Sequence, residues 1–230
     1  MGQDQAVFGY TVSSWARIAD DNTVSEVGVI VPAGVIQSAR SRQGELPPGP
    51  VCVLDFPSEV KASTFFDHFE LNWEPQGHPP PGIFTVPHFD FHFYSIGAAQ
   101  VQQIRPDNTA LPRPDASRVP AGYSVAQTDQ EYLAQVVPNM GYHAIPSEAF
   151  APGYHFTKAM TLGYYQGQMH FLEPMITQEY LFQRRNFTMD VPKPSVLGHA
   201  TLYPTRLRVT YKSSRRAYEI AFTNFVVASQ

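Results

Sequence analysis

The stretch Pro87-His88-Phe89-Asp90-Phe91-His92-Phe93-Tyr94 decides how this chain is read. Successive side chains of a strand point to opposite faces, so a strand here sends His88, Asp90, His92 and Tyr94 to one side and Phe89, Phe91 and Phe93 to the other. One face is built for packing and the other carries ionisable groups. A surface strand would be expected to display long charged side chains instead, so the polar face points to a site.

The same period-two reading extends along the chain. Strands are expected at about Gly9–Ala16, Glu26–Val31, Val51–Asp55, Thr64–Trp73, Phe84–Ile96, Ala159–Tyr165, Gln168–Glu173, Thr201–Tyr211 and Arg216–Val227. Lys212-Ser213-Ser214-Arg215 and Gln166-Gly167 read as hairpin turns. Helical candidates are short: Ala33–Ser41, Asp129–Val137 behind a Thr128 or Asp129 cap, and Ile176–Gln183 after Pro174. The 21 prolines fall in clusters, Pro47-Pro48-Gly49-Pro50, Pro79-Pro80-Pro81-Gly82, Pro112-Arg113-Pro114 and Pro192-Lys193-Pro194, which interrupt ladders and helices. Residues from about Arg105 to Tyr123 read as a long loop. Many strands with few helices imply a mainly β fold, an antiparallel barrel or sandwich with a few short peripheral helices. Nothing in 230 residues marks a seam, so one β-rich domain over 1–230 is expected, with residues 1–8 a flexible leader.

Composition excludes several functions. Charged residues are 16% of the chain and the net charge is -4, which offers no basic surface for a nucleic-acid backbone. No run approaches the roughly 20 apolar residues of a membrane helix. Cys52 is the single cysteine and sits in an apolar run, so neither a disulfide nor a multi-cysteine zinc site is available. Phosphate loops, nucleophile elbows and zinc-protease helices are absent from the sequence.

Geometry constrains how the polar row could share an ion. Positions four apart on a strand are about 13 Å apart, whereas each histidine must approach zinc to about 2.0–2.1 Å. Either the strand is irregular near His88, or one of His88 and His92 is a ligand with Asp90 beside it. Further ligands come from elsewhere: His143, after Met140-Gly141-Tyr142, and Glu173, framed by Phe171 and Pro174. His170 lies three residues from Glu173 and should point to the opposite face of a regular strand. His78, held in a proline turn, and Tyr94 and His170 stand as candidates around the ligands. His68, His155 and His199 lack polar company and read as ordinary hydrogen-bonded histidines. A buried hydrogen-bond network and a metal-free acid/base site remain alternatives.

Gly77-His78-Pro79-Pro80-Pro81-Gly82, the Pro87–Tyr94 run, Met140-Gly141-Tyr142-His143 and Glu173-Pro174-Met175 together resemble a bacterial domain-of-unknown-function family first defined on a Thermus protein. The likeness spans roughly Trp73 to Met175. It implies an extracytoplasmic protein, secreted or periplasmic and often made with a signal peptide, and a metal site at His88, Asp90, His92, His143 and Glu173. The start, Met1-Gly2-Gln3-Asp4-Gln5, reads as a methionine set before a polar leader after removal of such a peptide.

The functional expectation is a metal-dependent enzyme of hydrolase or lyase type acting on a small molecule, with zinc first and iron or manganese as alternates. The contrasting expectation is a secreted binding or structural protein, a homo-oligomer, whose centre only fixes the fold.

Overall fold

In the computed structural model, which describes residues 2–42 and 49–228, strands pair into two antiparallel sheets. Pro47 and Pro48 of the first proline cluster lie outside the described residues. One sheet has six strands in the order β1 (Asp4–Val7), β2 (Tyr10–Ile18), β3 (Val24–Pro32), β13 (Ala217–Ala228), β12 (Thr201–Lys212) and β11 (Phe187–Asp190). The other has seven, ordered β4 (Cys52–Asp55), β5 (His68–Glu74), β6 (His88–Tyr94), β10 (Gln168–Thr177), β9 (Lys158–Tyr165), β8 (Tyr142–Pro146) and β7 (Tyr123–Ser124). Neither closes on itself, so the fold is a sandwich and not a barrel. The helices are short: α1 (Ala33–Arg40), α2 (Ser58–Ser63), α3 (Ala98–Val101), α4 (Asp129–Ala134) and α5 (Gln178–Phe182). None among the described residues is long and apolar enough to cross a membrane.

The facing surfaces of the sheets form the core. Val27, Val29, Val31, Leu207, Val209, Ile220 and Phe222 project from the six-stranded sheet, and Phe69, Leu71, Phe89, Phe91, Phe93, Leu162 and Leu172 meet them from the other. Phe93 is the hub of this contact. Its ring lies 4.8 Å from that of Phe222 across the interface, 5.0 Å from Phe69, 5.6 Å from Phe66 and 5.8 Å from Phe56. The aromatic face read from the sequence is therefore the face that packs.

Several boundaries differ from expectation for identifiable reasons. The stretch expected as a leader supplies β1, paired with β2 and tied to the second sheet. The Gln5 and Gln3 side chains accept from the backbone of Val53 and Asp55, each at 2.9 Å. These amides bond across the sandwich edge, which residue propensity does not encode. Ile176, expected to open a helix, is the penultimate residue of β10, because pairing with Phe89 carries the strand through Pro174 to Thr177. The strands β1, β7, β8 and β11 are short segments specified by their partners. Thr128 caps α4 as expected, accepting from the backbone of Glu131 at 3.2 Å.

Truncating the hub tests the packing. Phe93→Ala is expected to lower unfolding stability by about 3–5 kcal/mol, as large-to-small changes in aromatic cores do. Urea denaturation followed by tryptophan fluorescence measures this.

Candidate metal centre

The outer face of the seven-stranded sheet carries the polar residues, and cross-strand register aligns them. Glu70 stands beside His92, Asn72 beside Asp90 and Glu74 beside His88. Across the next ladder Phe171 stands beside Tyr94 and Met175 beside Asp90. Thr161 then faces Glu173, and His143 faces Gly163. Outer faces of antiparallel sandwiches ordinarily meet water. Here His68, Glu70, Asn72, His88, Asp90, His92, Tyr94, Thr161, His170 and Glu173 are all buried.

Two apolar groups flank this row. Phe84, Phe156, Ile145 and Met175 gather at one end, and Tyr94, Phe171 and Val101 at the other. Between them opens a cleft of about 630 Å³, whose lining includes Glu74, Asp90, His143, Thr161 and Glu173 together with the proline turn and residues Ala134–Pro138.

The five expected ligands are divided between two groups. His92, His143 and Glu173 converge from β6, β8 and β10, and His78, His88 and Asp90 converge from β6 and the proline turn before it. In each group the nearest ligand atoms lie within 4.8 Å of one another. In the first, His92 Nε2 is 3.3 Å from Glu173 Oε1 and His143 Nε2 is 3.7 Å from Glu173 Oε2. Thr161 donates its hydroxyl to Glu173 Oε2. In the second, His88 Nε2 is 3.1 Å from Asp90 Oδ1 and His78 Nε2 is 3.5 Å from Asp90 Oδ2. The strand geometry explains the division. Outward residues along β6 are about 6.6 Å apart, so His88 and Asp90 meet the turn before the strand while His92 meets β10 and β8.

His78 thus stands within one of the two clusters that could hold a metal ion, and not around them. Tyr94 and His170 lie further along the row, their rings 6.0 Å apart. His170 does not point away from Glu173 as a regular strand requires. A register shift between Met169 and Phe171 makes it the extra residue of a β-bulge, and the bulge turns it onto the outer face. There its Nε2 donates to the Met140 carbonyl at 2.5 Å. Gly163 is the other backbone device. A Cβ on it would stand 2.0 Å from the Phe171 ring, which lies over this glycine and packs against His92 and His143 with centroids 5.0 Å away in each case.

His68 has polar company after all: Asp67 Oδ1 and Glu70 Oε1 each lie 3.4 Å from one of its ring nitrogens. Glu70, Asn72 and Glu74 also belong to the face, although only the β6 run was singled out from the sequence. Their signal was present in His68-Phe69-Glu70-Leu71-Asn72-Trp73-Glu74, which alternates as the β6 run does.

Electrostatics follow from burial. It pushes the His92 imidazole down to about 4, that of His143 to about 3 and that of His170 to about 4. All three rings are neutral at pH 7 and the first two can offer lone pairs. Burial, reinforced by the charge of Asp90, holds the Glu173 carboxyl well above the usual range. Burial also opposes charge on Asp90 and His78, but here the mutual attraction of carboxylate and imidazoles wins. Asp90 is held well below the usual carboxylate range, and His78 is carried up to about 9.

Buried polar atoms without a hydrogen-bond partner are rare in proteins. Among the described residues, those other than the indole nitrogens of Trp15 and Trp73 all lie on this one sheet face, including His88 Nε2, Asp90 Oδ1, both nitrogens of His92, and Glu173 Oε1. Compared with known proteins, the chain matches no family model, and neither a curated protein nor a solved structure shows significant similarity to it.

A pH dependence follows. The unfolded chain protonates its histidines near 6.5, whereas His92, His143 and His170 resist protonation in the fold until about 4 or below. Below pH 6.5 the unfolded state therefore binds more protons. Metal-free protein should lose stability as pH falls toward 4, by up to ~1.4 kcal/mol per pH unit for each histidine. His170→Gln is expected to flatten that slope, as read from chemical denaturation at pH 7, 5.5 and 4.5.

Proposed function

We propose that this protein holds a divalent transition metal through His92, His143 and Glu173 and uses it on a small molecule admitted by the cleft. One observation carries the reading: potential ligand atoms from three different strands converge, with His143 and Glu173 lining the cleft, and lone pairs on His92 and Glu173 are buried without hydrogen bonds. Two histidines and a carboxylate suit zinc, with iron(II) or manganese as alternates, better than calcium, which takes more oxygens. Three protein ligands leave a coordination position open, and a metal so held activates water or polarises a substrate oxygen. This favours hydrolytic or lyase chemistry.

The chain's own groups have roles in this scheme. The Thr161 hydroxyl orients the Glu173 carboxylate, the kind of outer support that tunes metal affinity. Glu74 lines the cleft with its carboxyl raised by burial and by the charge of Asp90, which suits it to carry a proton to or from a bound molecule. Val136, Val137, Pro138 and Ile145 in the walls suit an apolar body on the substrate. The resemblance to the Thermus-defined family supports an extracytoplasmic setting as part of the same proposal.

Zinc titrated calorimetrically into metal-free protein tests the centre. Burial holds the Glu173 carboxyl above its usual range, and a ligating carboxylate must be deprotonated, so zinc binding should be accompanied by proton release and the measured enthalpy should change with the buffer's ionisation enthalpy. Thr161→Val should weaken the site about 10–100-fold. Glu173→Gln should abolish it while leaving metal-free protein melting no lower than wild type, since the buried carboxyl at this position is replaced by an uncharged amide of the same shape. Unchanged zinc binding in Glu173→Gln would refute the assignment.

A further inference from the structure

The second group, His78, His88 and Asp90, is reached from the same cleft but shares no ligand with the first. Its hydrogen bonds define which atoms carry protons. His88 Nδ1 lies 2.6 Å from the Val86 carbonyl oxygen, and His78 Nδ1 lies 2.7 Å from that of Pro79. A carbonyl oxygen only accepts, so both Nδ1 atoms must donate, and in a neutral ring Nε2 is then a bare lone pair. Both Nε2 atoms face the Asp90 carboxylate, at 3.1 and 3.5 Å. With both rings neutral, three acceptors converge with no hydrogen to place between them. A proton on His78, which Asp90 favours, fills only the 3.5 Å gap and leaves His88 Nε2 and Asp90 Oδ1 facing each other as acceptors at 3.1 Å.

A cation placed among them resolves such an arrangement. It can be a metal ion, or a proton on each ring. The proton solution turns His88, which is fully buried, into an imidazolium and leaves two cations sharing one carboxylate. The metal solution uses all three acceptors as ligands. It also matches the support found around metal-bound histidines, in which the second ring nitrogen donates to a carbonyl and so fixes tautomer and ring orientation.

The surroundings hold the rings in place. Gly77 takes φ +70° and a Cβ on it would stand 2.0 Å from the Phe84 carbonyl, so the turn closes tightly and the His78 amide donates to that same oxygen at 3.0 Å. Phe156 packs edge-on against His88 with centroids 5.1 Å apart, and Phe84 lies 5.9 Å from His78. His88 Nε2 and Asp90 Oδ1 have no hydrogen-bond partner. We propose that His78, His88 and Asp90 bind a second divalent transition metal ion, independently of the ion proposed at His92, His143 and Glu173.

Zinc stoichiometry in metal-free protein, combined with long-range proton–nitrogen NMR of the histidine rings, tests this. Wild type should bind two ions. His78→Gln and Asp90→Asn should each lose one and retain the ion that depends on Glu173. Glu173→Gln should retain the ion that depends on His78. In the zinc-loaded wild type, His78 and His88 should show a protonated Nδ1 and a metal-bound Nε2. His78 sits in a half-buried turn, so His78→Gln decides the matter if Asp90→Asn fails to fold. The proposal is overturned if His78→Gln binds as much zinc as wild type, or if both rings stay doubly protonated at saturating zinc. One ion lost in His78→Gln and none in Glu173→Gln would instead sink the first site and leave this one standing.

Discussion

Burial of a polar sheet face is the constraint on which the rest of this structure depends. Each buried polar atom left without a partner costs about 1–3 kcal/mol, and a domain's whole net stability is only about 5–15 kcal/mol. The unpartnered nitrogens and oxygens on the outer face of the seven-stranded sheet would together consume such a margin. Their close approach to one another, carboxylate against imidazole, shows how the cost can be met. The attraction that holds Asp90 ionised beside His78 and His88 is the local form of that answer, and a bound cation is the general one.

The two faces of β6 support each other. Phe89, Phe91 and Phe93 anchor the strand in the core, so His88, Asp90 and His92 project from a backbone with little freedom to move. Groups carried on packed strands are placed more reproducibly than groups on loops. The neighbouring β10 uses a different device. Its bulge at His170 adds a residue to the outer face, while Phe171, lying over Gly163, still reaches His92 and His143. Only His78 comes from a turn, and there the tight closure at Gly77 and the packing of Phe84 supply the stiffness that a strand would.

The cleft joins distant parts of the chain. Its walls come from the proline turn and from the segment around Val136 and Val137, which lie far apart in the chain, and its lining contains atoms of both ligand groups. That lining combines apolar side chains with carboxylates and imidazoles. Glu74, at the end of β5, lines the cleft, and burial shifts its carboxyl upward.

Much of this was legible from residue order. Period-two alternation located nine strands and divided β6 correctly into a packing face and a polar face, because side-chain direction in a strand is a local property of the backbone. The same rule applied to β5 would have found Glu70, Asn72 and Glu74. It failed at His170, since a bulge depends on the partner strand, and at β1 and β8, whose short segments become strands only by pairing. The sequence by itself determined which residue types share the β6 face and that the fold is β. Whether the sheets close, which strand lies beside which, and the division of the ligands into two groups were decided by tertiary structure alone, because ligand convergence is set by register between strands distant in the chain, and register is a property of pairs.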